Sequence, residues 1–154
     1  MNLTHINLML NHIPILGSYI LFFLYGYGMI VKKESLLRAS LWLSVLIAIA
    51  TLVVYLTGDP AAEVVKKLPG ISDELIENHE NIALVALCLI SVLGIASLYV
   101  IKFMEEGMPS WMKYGFLAVA FSLIISISWV GYVGGLIRHP EGQDAYQSVS
   151  SDQR

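Results

Sequence analysis

The stretch "ASLWLSVLIAIATLVVYLTG" (residues 39–58) carries no charged side chain. At 1.5 Å per residue, a helix of that length spans about 30 Å, the thickness of a bilayer's hydrocarbon core. Three further uncharged runs cover Met1–Val31, Asn81–Ile101 and Tyr114–Ile137. Over the 154 residues, 56% are hydrophobic and 14% charged, with a mean hydropathy of +0.70. Such a chain is too apolar for a soluble globular domain of this size. Four spans with short connections predict an all-α membrane protein, a four-transmembrane-helix bundle with both termini on the same side. The bundle is expected over residues 1–140, followed by a loose polar tail over 141–154.

Several classes are disfavoured at once. The net charge of −3 and the lack of a basic stripe argue against nucleic acid. The span interiors hold no Asp, Glu, Lys or Arg, which argues against a transporter. No nucleophile–base–acid set suggests a hydrolase. The single cysteine, Cys88, lies within the third span and forms no internal disulfide. No Lys or Arg precedes the first apolar run, and no clear small-residue cleavage site follows it. The first span is therefore expected in the mature protein rather than in a signal peptide.

The connections set the topology. Side B, with the 32–38 and 102–113 connections, holds Lys32, Lys33, Arg38, Lys102 and Lys113 against Glu34, Glu105 and Glu106. Side A, with both termini and the 59–80 connection, holds Lys66, Lys67, Arg138 and Arg154 against nine acids. The density of "KKESLLR" predicts a cytoplasmic side B in an inner (cytoplasmic) membrane, with periplasmic termini. "GDPAAEVVKKLPG" (58–70) reads as a short amphipathic piece on the membrane surface. Ser72 is a candidate N-cap, so the third helix should begin near Asp73 and run to about Glu105. Gly107 and Pro109 end it, and the fourth helix should start near Ser110 and stop at His139–Pro140.

All four histidines, His5, His12, His79 and His139, fall on side A. Counting from the side B basic residue of each helix puts His12 about 30 Å and His79 about 35 Å away, with His5 and His139 near 40 Å. They sort into an inner pair, His12 with His79, and an outer pair, His5 with His139. His5 and His12 lie two turns apart and share a face. A membrane-edge histidine is ordinarily an interfacial polar residue. His12, however, lies in an apolar run with no acid nearby, where a neutral imidazole still needs partners for its nitrogens. Metal ligation supplies one.

The spread in depth suits two sites better than one tight cluster. Bis-histidine haem needs imidazoles facing across a bundle, and small residues to admit the porphyrin. Ser128, Gly131, Gly135 and His139 form one stripe of the fourth helix. Close helix packing explains Gly131-x-x-x-Gly135 equally well. Gly17, Gly26 and Gly28 offer further clearances on the first helix. Arg138, Lys66 and Lys67 are candidates to meet haem propionates, although such residues are more often simply solvated. Pro14 removes the backbone bond to the Leu10 carbonyl, so either the helix kinks beside His12 or it starts there.

His5 with "NHIPILG" (11–17), "ENHENIALVAL" (77–87) and "GGLIRHPEG" (134–142) together resemble a family of small four-helix bacterial membrane proteins, themselves similar to haem b proteins. The resemblance runs along nearly the whole chain, on short motifs. Ile13 stands where that family commonly has an aromatic, and Arg138 where one usually precedes the closing histidine. The resemblance implies a b-type cytochrome-like subunit with His5, His12, His79 and His139 as axial ligands, and it supplies no reaction.

The expected function is electron transfer near the outer face by one or two bis-histidine haems b. Its partners would be quinone, a periplasmic redox protein or a larger respiratory complex. The candidate iron ligands are His5, His12, His79 and His139, with Gly131, Gly135 and Arg138 as further cofactor-binding residues. The rival readings are a cofactor-free structural subunit of a respiratory complex, and a copper- or zinc-binding membrane protein.

Overall fold

A computed structural model describes residues 10–58, 73–103 and 108–138. They form four helices: α1 (His12–Ile30), α2 (Glu34–Leu56), α3 (Asp73–Phe103) and α4 (Ser110–Arg138). Each is long and apolar enough to cross a membrane. The chain is a multi-pass membrane protein built as an all-α four-helix bundle. Each helix packs on its sequence neighbours, and α1 also packs on α4 to close the ring. The ends of α1 and α3 therefore meet the starts of α2 and α4 at side B.

The helix ends have local causes. Pro14 falls in the first turn of α1, where its missing N–H is one of those that no helix bond would use. Leu10 is itself helical and Asn11 keeps right-handed helical dihedrals, so the helical path is interrupted at Asn11, beside His12. At the other end Lys32 adopts φ 52°. The Lys33 N–H reaches the Gly28 carbonyl (3.1 Å) and the Lys32 N–H the Met29 carbonyl (3.4 Å). This is a Schellman cap with lysine in the left-handed position that glycine usually takes. Gly28 lets α2 turn back at once: a Cβ there would lie 3.1 Å from Leu36 Cβ and 3.3 Å from the Leu37 nitrogen. In α3, Asp73 and Glu74 open the helix and Lys102 closes it, each sign matched to the helix dipole. α3 is described to Phe103. The expected N-cap Ser72, the 59–71 segment, residues 104–107 and the tail lie outside the described residues.

The core is a column of apolar side chains, with Leu21, Tyr25, Ile90, Leu93 and Leu123 nearly inaccessible. Large apolar residues on the opposite faces, such as Ile20, Leu46, Ile95 and Ile125, are exposed. In a bilayer those faces meet lipid. Lipid tails are as apolar as leucine, so the helices are held by close packing and polar contacts. Between α2 and α3, the Cβ position of Gly94 lies 2.9 Å from Ala48 Cβ. Nearby, Ser44 donates to the Leu41 carbonyl (2.7 Å) and so receives the Ser97 hydroxyl (2.7 Å). Ser18, Ser40 and Thr51 are buried too, each donating to the carbonyl four residues earlier. At side B the Tyr25 hydroxyl donates toward the Lys113 carbonyl (3.2 Å) and Met108 Sδ (3.4 Å), tying the end of α1 to the start of α4.

Candidate cofactor-ligand site

His79 stands in the second turn of α3, at the side A end of the bundle. It is half-buried, and its ring faces α4. The backbone of Val130 lies beside the ring. Nδ1 is buried and has no hydrogen-bond partner, alone in this among side-chain atoms of the described residues. A neutral imidazole has one donor and one acceptor nitrogen. Whichever tautomer the ring holds, Nδ1 lacks the partner it needs. Leaving such a group buried and unpaired costs about 1–3 kcal/mol.

Gly134 makes room for this ring. A Cβ built there would lie 3.1 Å from His79 Cε1 and 3.5 Å from Nδ1. Val130 and Gly134 are one turn apart, so one stripe of α4 both flanks the imidazole and leaves space beside it. The stripe singled out in the sequence is a different one. Gly131 and Gly135 are exposed, with nothing within 4 Å of a Cβ at either position. They do not serve close helix packing among the described residues.

The Ser128 stripe instead faces α1. Ser128 donates to the Ile124 carbonyl (2.6 Å) and receives the Tyr19 hydroxyl (2.6 Å). Two turns from that contact toward side A bring α4 to Gly135 and α1 to His12. The antiparallel pairing thus puts His12 and Gly135 along the same α1–α4 seam, and both are exposed. His12 and His79 address different stripes of α4. His5 and His139 lie outside the described residues, as do Lys66, Lys67 and the side chain of Arg138. Among the described residues, no group of three or more His, Cys, Asp or Glu could hold a metal ion.

The roles of Val130 and Gly134 were not apparent from the sequence. Gly134 could have been found from periodicity: Ile127 and Val130 continue to it in steps of three and four, although Gly131, four residues after Ile127, competes with it on spacing alone. No family model matches the chain, and neither a curated protein nor a solved structure does.

Proposed function

We propose that the chain is a membrane b-type cytochrome-like electron-transfer protein with His79 as an axial ligand. The buried, partnerless Nδ1 of His79 carries this reading. Ligating histidines ordinarily donate their other N–H to a carbonyl or carboxylate, which fixes the tautomer and aims the ring. The Val130 carbonyl, beside the ring, is the group that would take that N–H here. Gly134 withholds a side chain that would crowd the ring, and Gly131 and Gly135 leave open surface on the neighbouring stripe that leads to His12. A bound haem supplies one-electron redox chemistry, while the chain binds, orients and shields it. His5, His12 and His139 are the further candidate ligands for one haem or two, and Arg138 is the candidate propionate partner. In this reading the end faces the periplasm across the inner membrane, as the denser basic loop at side B favours. The exchange partner there would be quinone, a periplasmic redox protein or a larger respiratory complex.

A second reading is favoured by which nitrogen is free. Nδ1 adjoins the ring carbon that bears the side chain, so a bare ion reaches it more easily than a flat porphyrin does. That points to a copper or zinc ion held by the same histidine. A reduced-minus-oxidised spectrum and a metal analysis of the purified protein separate the two. Haem b that is lost in His79→Ala supports the first reading. Stoichiometric copper or zinc without haem supports the second. Protein free of both refutes ligation at His79.

A further inference from the structure

The side B end of the bundle holds a hollow of about 20 Å³, open on one side, between α2, α3 and α4. Leu41, Val100 and Met108 form its apolar floor, and Glu34, Arg38 and Lys113 are its charged lining. Arg38 comes from α2 and Lys113 from α4, so two helices bring a cation each to one place. Neither makes an ion pair among the described residues, although Glu34 stands one turn before Arg38. Lys113 sits in the first turn of α4, where the dipole is positive and a cation is disfavoured, and Arg38 just past the first turn of α2. The two cations and the two helix starts therefore sum to a positive field that the neighbouring side chains of the hollow offset with one carboxylate.

An anion satisfies that field. We infer that the hollow binds the headgroup of an acidic glycerophospholipid from the side B leaflet. The location selects a lipid as the source. The hollow lies where the membrane-crossing helices α2 and α4 begin, so a leaflet's phosphates are at hand. Its floor is apolar, and the void is too small to engulf a whole phosphate. A headgroup anion capping the rim, with its acyl chains on the exposed apolar faces, meets both conditions. Exposed Trp42 and Trp111, near the two cations in sequence, are the amphipathic residues that anchor at headgroup depth. Basic pockets between transmembrane helices on the cytoplasmic side are a recurrent form of acidic-lipid site. The site is independent of any cofactor at the opposite end.

The test uses the full chain, purified in detergent and stripped of lipid. Short-chain phosphatidylglycerol, short-chain phosphatidylcholine and inorganic phosphate are each titrated, and binding is read by native mass spectrometry and by thermal stabilisation. Phosphatidylglycerol should bind saturably and phosphatidylcholine should not. Removing each cation, by Arg38→Gln or Lys113→Gln, should weaken binding about fivefold. Glu34→Gln, which removes the hollow's own carboxylate, should tighten binding. Lys32→Gln, on the turn outside the hollow, should change it less than twofold. Equal binding of the zwitterionic lipid, or full affinity in both Arg38→Gln and Lys113→Gln, overturns the assignment. Saturation by inorganic phosphate at the same concentrations overturns the choice of a lipid. Should one cation variant fail to fold, the other together with Glu34→Gln still decides, because they predict opposite shifts.

Discussion

Replacing His79 with leucine separates an imidazole that holds a ligand from one that merely packs. Without a ligand, the substitution has two opposed effects. It removes the ring's polar contact with the Val130 backbone, worth up to about 1 kcal/mol. The Val130 carbonyl keeps its helix bond to the Gly134 N–H, so no new orphan is created. The substitution also removes the buried, partnerless Nδ1, relieving about 1–3 kcal/mol. Leucine is shorter than the ring and apolar, so the space beside Gly134 accepts it. The ligand-free variant should therefore be as stable as the parent or up to about 2 kcal/mol more stable. With a ligand at 100 times its dissociation constant, the parent gains about 2.7 kcal/mol by linkage, and the variant loses it. The sign then reverses, and the variant should be less stable by about 1–3 kcal/mol. Thermal unfolding in detergent, followed by helical circular dichroism before and after haem extraction and chelation, reads both cases. If the parent melts identically in both states and His79→Leu raises the midpoint in each, Nδ1 holds nothing and the proposed function fails with it.

Lys32→Gly should stabilise the α1–α2 turn by about 1 kcal/mol, because glycine takes the left-handed cap position without steric cost; equilibrium unfolding in mild detergent measures it. Gly94→Ala should destabilise by about 1–3 kcal/mol through the clash with Ala48 Cβ, and Ala48→Gly in the same chain should recover most of the loss. A C-terminal reporter active only in the cytoplasm should be silent in this protein, and activity there would invert the proposed orientation.

Fold class was legible in the sequence because the bilayer reads the chain one span at a time. Twenty uncharged residues such as 39–58 can satisfy their backbone in hydrocarbon only as a helix, whatever the rest of the chain does. The start of α4 at Ser110 and the acids that open α3 were readable for the same reason: helix starts and stops are written in local residues. Pro14 left two outcomes open, and the structure interrupts the helical path at Asn11, with Leu10 helical before it and α1 running on from His12. Which stripe of each helix meets which neighbour was not legible. The sequence displays Gly131 and Gly135 as conspicuously as Gly134, yet only Gly134 receives an imidazole. That difference depends on the rotation of α4 about its axis, and the rotation depends on contacts from other helices. The Tyr19–Ser128 bond turns one face of α4 to α1, and the seating of His79 against Val130 turns another to α3. Hydropathy alone could not specify it, since lipid and core are equally apolar; close packing and buried hydrogen bonds decide it, and they exist only once the helices are assembled.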